Sequence, residues 1–234
     1  MQGVYYKPRR RRRHSKGKLA LLLLLSALFL ASCVAGSNAL WIKGFLGIDL
    51  VDYRAEQAEA THPLDGALAD SLCSTLDLLA VSGTELCEVK KSGDFVRSYR
   101  DELLNHLLAD NYSRYTGNMD ALGEAARVYP NLTLSVLIPA SDLEELAARC
   151  FGLQSISHTD GELFTYLEKI ECYTFSMKAW EKIVRVVPER IEETYHTYRV
   201  EFYLEKAGER AGSYQAVFVK RSDGSAYLRA LEKI

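Results

Sequence analysis

The sequence predicts an α+β fold in which an N-terminal membrane segment is followed by helices packed on a C-terminal curved antiparallel sheet. Three observations predict it: a basic N-terminus beside a Leu-rich run, apolar residues at helical spacing through the middle of the chain, and apolar residues at alternate positions near the C-terminus. The predicted divisions are a basic cytoplasmic head (1–18), a transmembrane anchor or lipoprotein signal (19–42), a stalk (43–63) and an extracytoplasmic α+β domain (64–234).

The basic head contains eight Lys or Arg residues and no acidic residue. Positive charges beside an apolar segment keep the N-terminus in the cytoplasm, and this role alone accounts for them. A second interpretation is attraction to anionic lipid head groups, worth about 1 kcal/mol per Lys or Arg near the surface. In both cases the protein is expected at the cell membrane, with the bulk of the chain extracytoplasmic.

The apolar run from Leu19 to Ile42 allows three outcomes. Leu30-Ala31-Ser32-Cys33 resembles a bacterial lipobox, which implies that Cys33 would be lipidated and become the first residue of the mature protein. As an uncleaved anchor, the 24 uncharged residues would span roughly 36 Å and cross a hydrocarbon core of about 30 Å. Secretion after cleavage at Ser37-Asn38-Ala39 is the third outcome, and all three give the same topology.

The charge of the chain is divided between its two parts. Beyond the head there are 21 Lys and Arg against all 31 Asp and Glu, a formal charge of −10. Nucleic-acid binding needs clustered cations to neutralise phosphates. We therefore expect no nucleic-acid partner, whereas an envelope protein partner remains compatible with this acidity.

Four cysteines lie beyond the membrane segment, at Cys73, Cys87, Cys150 and Cys172. An even number in an oxidising compartment allows disulfides, and the nearest pairing in sequence is Cys73–Cys87 with Cys150–Cys172. Cys73 and Cys150 fall on apolar helix faces, however, where a free Cys acts as a small hydrophobe. Free thiols are the favoured prediction.

Helical spacing predicts four helices. They run from Asp65 to near Ser82, from Ser92 towards Asn111, from about Met119 to Tyr129, and over 141–151. The last begins with the capping-box spacing Ser141-Asp142-Leu143-Glu144 and ends at Gly152, which suits a left-handed C-cap.

The remaining segments predict strands. Leu132 to Ile138 is a β-branched run between two prolines, and 162–182 suits either a helix or a hairpin, with a strand favoured after Glu171. The C-terminus predicts an antiparallel meander. Its strands are 198–205, 214–220 and 226–231, its turns are Gly208 to Gly212 and Ser222-Asp223-Gly224, and Ile183 to Val187 is a strand or a helix.

The C-terminal meander reads YRVEFYLEK…SYQAVFVKRSDGSAYLRALEKI and resembles the NTF2-like cone fold over roughly the last forty residues. The resemblance implies a curved sheet that holds an enzyme site, a small ligand or neither. If the sheet is concave and binds a ligand, its lining would include Tyr198, Phe202, Tyr214 and Phe218. Aromatic residues in such positions more often belong to an ordinary core.

The sequence contains none of the linear motifs H-E-x-x-H, G-x-S-x-G, Walker A or G-x-G-x-x-G. No catalytic, cofactor-binding or metal-binding residue is assigned. His158, beside Asp160 and Glu162, has the composition of an ordinary polar turn. The favoured function is a non-enzymatic, membrane-anchored extracytoplasmic module for binding or scaffolding. The alternative is a small-molecule-binding NTF2-like lipoprotein, and an enzyme is less favoured than either.

Overall fold

The computed structural model of the chain describes residues 56–80, 85–175 and 184–234. These described residues form one compact unit. The basic head, the apolar run with Cys33 and most of the predicted stalk lie outside the described residues. Within the described ranges, no helix combines the length and the apolar character that a membrane span requires.

The described part of the chain has an α+β fold, as predicted. Its helices are α1 (Ala67–Asp77), α2 (Ser92–Ser98), α3 (Arg100–Asp110), α4 (Tyr112–Thr116), α5 (Met119–Val128) and α6 (Ala140–Phe151). Its strands are β1 (Ala60–His62), β2 (Ile138–Pro139), β3 (Phe164–Leu167), β4 (Cys172–Phe175), β5 (Val184–Glu193), β6 (Thr197–Lys206), β7 (Glu209–Lys220) and β8 (Ala226–Lys233).

The larger sheet has five antiparallel strands in the order β1-β5-β6-β7-β8, which confirms the predicted C-terminal meander. Strand β5 extends further than predicted, because a bulge between Pro188 and Arg190 lets the strand continue past the proline. The β6–β7 turn is tighter than predicted. Ala207 and Gly208 have φ of 52° and 86°, the positive values that a two-residue type I′ turn requires.

One edge strand of this sheet is β1, which pairs with β5 from Ala60↔Glu193 to His62↔Ile191. The folded part of the chain therefore begins before residue 64, and residues 60–62 of the predicted stalk belong to the sheet. The second sheet is small, with the order β2-β4-β3. Its β3–β4 hairpin resolves the ambiguity at 162–182 in favour of strands as far as Phe175.

Three of the helices pack against the larger sheet, α1 against β5 and both α2 and α6 against β8. The stacked rings of Phe95 and Phe151, 4.9 Å apart, join α2 to α6 within the core between these layers. Phe202 and Phe218 come from the sheet side and are fully buried in the same core. Burial of this apolar surface is the main force holding the two layers together.

The predicted helix over 92–111 is interrupted at Tyr99. This residue has φ −131° and ψ 25°, and separates α2 from α3. Its side chain is buried, and its hydroxyl donates to the Cys87 carbonyl at 2.8 Å. The short helix α4 that follows α3 was not predicted.

The predicted strand at Leu132 to Ile138 is wrong except for Ile138, which pairs with Tyr173. The polar groups of this segment are used elsewhere: the Leu137 N–H donates to the Tyr115 carbonyl at 3.1 Å, and the Val136 carbonyl accepts from the Thr174 hydroxyl at 3.0 Å. Although the segment has the composition of a strand, its residues before Ile138 do not form the hydrogen-bond pattern of a sheet.

The predicted capping box at α6 is also wrong. The N-cap is Pro139, which has no side-chain capping bond, and the Ala140 N–H donates to the Glu171 carbonyl at 2.8 Å instead. The predicted C-cap is confirmed, since Gly152 has φ 68°.

The suggested disulfide pairings are not formed among the described residues. Cys73, Cys87, Cys150 and Cys172 are all free thiols.

Candidate functional site

A polar cleft lies between the α2–α3 junction and the loop that follows α6. It consists of two adjoining cavities that share Arg97 and Arg100, and we call the pair the Arg100 cleft. The amphipathic cavity, of about 240 Å³, is lined by Gly93, Val96, Arg97, Arg100, Leu153, Ser155, Ile156 and Ser157. The acidic cavity, of about 450 Å³, is lined by Arg97, Ser98, Arg100, Asp101, Glu102, Asp160, Gly161 and Glu162.

Arg100 lies in the wall common to both cavities because of its position in the helix. It is the first residue of α3 and lies four residues before Leu104, which belongs to the apolar face of the same helix. Residues at this spacing lie on the same side of a helix. The helix face that packs on the core therefore carries Arg100 inward, and only 7% of the residue is exposed.

Among the described residues, the Arg100 guanidinium is bonded only to neutral acceptors. One terminal nitrogen donates to the Thr159 hydroxyl and, at 3.3 Å, to the Asp160 carbonyl, and the other donates to the Ser157 carbonyl at 3.0 Å. Its Nε is buried and has no hydrogen-bond partner in the described part of the chain. The described residues place no carboxylate in an ion pair with it, so Arg100 is a buried cation with one unused donor.

Asp101 holds the same loop from the other side. Its carboxylate accepts from the backbone N–H groups of Glu162 at 2.7 Å, Leu163 at 3.3 Å and Phe164 at 3.3 Å. Gly161 allows this approach, because a Cβ at that position would lie 2.7 Å from Asp101 Cγ. The carboxylate also lies in the first turn of α3, where the helix dipole favours negative charge.

The acidic cavity has an excess of negative charge. Burial, followed by the negative charges of Asp101 and Glu162, raises the pKa of Glu102 above its usual value. The cleft therefore has an acidic side, and an amphipathic side whose charged lining residues are both arginines.

His158 lies in the same loop and faces the small sheet. Its Nδ1 is 3.0 Å from the Tyr173 hydroxyl, its Nε2 is 2.9 Å from Glu144 Oε1, and its ring stacks on Tyr166 with centroids 5.1 Å apart. A carboxylate, an imidazole and a hydroxyl in this order also occur at nucleophilic sites. Tyr173 is fully buried, however, and burial raises the pKa of its hydroxyl to about 12. The arrangement orients the loop.

The four aromatic residues predicted to line a ligand cavity lie elsewhere. Phe202, Tyr214 and Phe218 are buried in the main core, where Phe202 stacks on Tyr214 with centroids 5.6 Å apart and the Tyr214 hydroxyl accepts from the Leu86 N–H at 3.0 Å. Tyr198 is half-buried, with Lys220 Nζ 4.9 Å from its ring centroid. None of the four lines either cavity of the Arg100 cleft, and their role in ligand binding stays a prediction.

Of the cleft residues, the sequence drew attention only to Asp160 and Glu162, as part of a polar turn, and it did not predict a role for the arginines, although one signal marks Arg100. Arg100 interrupts an apolar face between Val96 and Leu104, and a charged residue at such a position needs an explanation. The structure adds that, over the residues it describes, no three His, Cys, Asp or Glu side chains are placed to hold a metal ion.

The chain was compared with protein-family models, curated proteins and solved structures, and none of these comparisons gave a match. The Arg100 cleft and the sequence of the N-terminal segment are therefore the features from which a function is inferred.

Proposed function

We propose that this protein is a membrane-anchored, extracytoplasmic, non-enzymatic binding module, and that it takes up an anionic group of its partner in the Arg100 cleft. The anchor would be the segment from Leu19 to Ile42, either as a membrane span or through lipidation of Cys33, with the basic head on the cytoplasmic face. The partner would be an envelope protein or another envelope component. The formal charge of −10 beyond the head argues against a nucleic acid.

The observation that carries this proposal is the buried Arg100 guanidinium, which has neutral partners and an unused Nε–H. Burying a charge without a counterion is unfavourable, and leaving a buried donor unpaired costs about 1–3 kcal/mol. An anion in the cleft, beside the guanidinium, would offset the cost of the charge that lacks a counterion. Arg97 also favours anion binding, because it lines the same cleft and provides a second positive charge there, with 78% of its side chain exposed.

Two features favour binding over catalysis. Both ring nitrogens of His158 are engaged, and the hydroxyl that it contacts belongs to the buried Tyr173. Among the groups beside the cleft, Glu144, His158 and Tyr173 are arranged most like a catalytic acid–base pair. To reach the His158 imidazole, however, a substrate would have to displace Glu144. We therefore treat His158 as a positioning residue for the loop.

The proposal is tested by photocrosslinking in cells with the full-length chain. Ser155 is exposed and lines the amphipathic cavity, so a photocrosslinking amino acid at this position should yield one discrete adduct. The matched control is the same substitution at Ser113, which is exposed on α4 and lies outside the cleft. Adding Arg97→Glu to the Ser155 variant should weaken the adduct. Equal labelling from both serines, or no adduct, would contradict the proposal.

The second candidate is a small-molecule-binding lipoprotein of the NTF2-like type. The antiparallel sheet with helices packed against it supports this candidate, as does the half-buried position of Tyr198 at the end of the sheet. A ligand bound among Phe202, Tyr214 and Phe218 would have to displace packed core side chains, which is costly. The Arg100 cleft is therefore the better site.

A further inference from the structure

Resting on the proposed function, we infer that the amphipathic cavity of the Arg100 cleft binds a monocarboxylate that carries a short apolar group. Such a ligand is either a free carboxylic acid or the C-terminus of a peptide whose last side chain is apolar. The two share one chemistry, a single negative charge attached to a small hydrocarbon group.

The charge and the hydrogen-bonding groups of the cavity fit a carboxylate. Its lining residues include the two arginines and two serines, Ser155 and Ser157, and none of them is acidic. Among the described residues, the ion pair of Arg97 is with Asp94, at 3.0 Å and on an exposed surface, so its guanidinium is available to a ligand at little cost. A carboxylate accepts several hydrogen bonds and matches the planar geometry of guanidinium donors.

The other lining residues fit an apolar substituent. Val96 is buried, Leu153 and Ile156 are half-buried, and all three line the same cavity as the arginines. The cavity volume of about 240 Å³ lies below the range of about 300–1,000 Å³ that is usual for sites of drug-sized ligands. A group the size of a single branched aliphatic side chain is therefore favoured over a long acyl chain.

The neighbouring acidic cavity disfavours a more highly charged ligand. Asp101, Glu102, Asp160 and Glu162 line it, and it shares Arg97 and Arg100 with the amphipathic cavity. The repulsion from these carboxylates and the attraction to the arginines both grow in proportion to the ligand charge, whereas the cost of desolvating the ligand grows with the square of that charge. A phosphate dianion is therefore more costly to bury in this cleft than a monoanion. A monocarboxylate can pair with both arginines and has the smaller desolvation cost.

The chain offers a variant that fills the cavity and a matched control. Gly93 lines the amphipathic cavity within α2, and no atom lies within 4 Å of a Cβ built on it, so Gly93→Leu can be accommodated and occupies ligand space. Gly123, in α5, also has no atom within 4 Å of such a Cβ and lies outside the cleft, so Gly123→Leu is the control. Leu favours a helix more than Gly does, so neither change should unfold the protein.

The experiment measures ligand binding to the full-length chain in detergent micelles by saturation-transfer NMR. The probes are isovalerate, its neutral analogue isovaleramide, and an Ala-Ala-Ala-Ala-Leu peptide with a free or an amidated C-terminus. Phosphate is followed by phosphorus line broadening. We expect isovalerate or the free-acid peptide to bind, and the amides and phosphate not to. Gly93→Leu should weaken binding at least about tenfold by filling the cavity, Arg97→Gln about threefold, and Gly123→Leu not at all.

The outcomes separate this inference from the proposed function. Tighter binding of the free-acid peptide than of isovalerate identifies a chain terminus as the ligand, and the reverse order identifies a free acid; both support the inference. Phosphate binding without carboxylate binding overturns the inference and leaves an anion-binding cleft. Equal binding of acid and amide, or binding unaffected by Gly93→Leu, also overturns the inference. Failure of every probe, together with no adduct from the Ser155 crosslinker, removes the proposed function as well.

Discussion

At the scale of single residues, Arg100 and Asp101 show how two adjacent buried charges can be held without pairing with each other. The guanidinium donates to carbonyl and hydroxyl oxygens of the 157–160 segment, and the carboxylate accepts from the N–H groups of 162–164. One end of the loop therefore supplies neutral oxygen acceptors to the guanidinium, and the other end supplies backbone N–H donors to the carboxylate. Buried polar groups need such partners, and these bonds fix the loop that forms one wall of the cleft.

Gly161→Ala should disturb this arrangement. A Cβ at that position would lie 2.7 Å from Asp101 Cγ, so the loop and the carboxylate would have to move apart and lose N–H contacts. We expect the free energy of unfolding to fall by about 1–3 kcal/mol, the cost of leaving a buried polar group unsatisfied. Denaturant unfolding of both proteins measures the change. Gly123→Ala is the control, since a Cβ there meets no atom within 4 Å, and equal stability of the two variants would contradict the role given to Gly161.

At the scale of elements, the edge strand β1 is too short to be held by its backbone alone, and side-chain contacts attach it to the sheet. Glu193 on β5 is paired with His62 at 2.6 Å and accepts from Lys220. Glu56, just before β1, accepts from the Thr194 hydroxyl at 2.6 Å and is paired with His196. Two carboxylates therefore hold this end of the segment that leads back towards the predicted membrane anchor.

Both carboxylates have a lowered pKa. Hydrogen bonds from Lys220 and His62 lower the pKa of Glu193. Burial raises the pKa of Glu56, but hydrogen bonds from Thr194 and His196 outweigh it, and the net shift is downward. A carboxylate with a lowered folded pKa stabilises the native state above its ordinary pKa of 4.5, and this stabilisation is lost as the pH falls through the folded value.

We therefore expect β1 to detach from the sheet in acid, before the rest of the sheet unfolds. Hydrogen exchange at 60–62, corrected for the intrinsic effect of pH, should accelerate below about pH 4 while exchange in β6 stays slow. Glu193→Gln should raise the exchange of β1 about fivefold at neutral pH, the effect of losing one partly exposed ion pair. The control is Glu189→Gln. Glu189 is on β5, like Glu193, but its exposed ion pair is with Arg210 of β7, so this change should leave the exchange of β1 unaltered. Uniform exchange of β1 and β6 at every pH would contradict this account.

The elements that could be predicted from the sequence are those whose pattern is complete within the element itself. Helix α6 has its own apolar face and its Gly152 C-cap, and the meander has alternating residues and a D-G turn. The failures depend on distant partners. Leu132 to Ile138 has the composition of a strand, but its hydrogen bonds go to Tyr115 and Thr174. The cleft could not be predicted for the same reason, because Thr159, a partner of Arg100, is 59 residues away in the sequence.

At the scale of the whole molecule, the proposed topology depends on a division of charge. The basic head precedes the uncharged run, and every acidic residue follows it. Positive charges on the cytoplasmic side orient a membrane segment, whereas acidic residues contribute little, so the acidic domain is expected outside the cytoplasm. This topology is the same for an uncleaved anchor and for a lipoprotein with Cys33 at its N-terminus, which makes it testable before the two are distinguished.

The described thiols provide the test, because only one of them is well exposed. Cys87 is exposed, whereas Cys150 is buried and Cys73 and Cys172 are half-buried. Burial, with the negative charges of Asp77 and Asp70, raises the pKa of Cys73 to about 11, and burial also raises the pKa of Cys150 and of Cys172. Since the thiolate is the reactive form, Cys87 should react with a maleimide well before the other three.

A membrane-impermeant maleimide should therefore label Cys87 in spheroplasts without lysis, and Cys87→Ser should remove most of the label. Labelling that appears only after lysis would place the domain in the cytoplasm and overturn the predicted topology. Labelling that appears only after reduction would mean that Cys87 is in a disulfide, contrary to the free thiol in the structure. The intact mass of the labelled chain then distinguishes the two anchors. A chain that begins at Cys33 with a diacylglyceryl group is a lipoprotein, and a full-length chain keeps residues 19–42 in the membrane and the basic head on its cytoplasmic face.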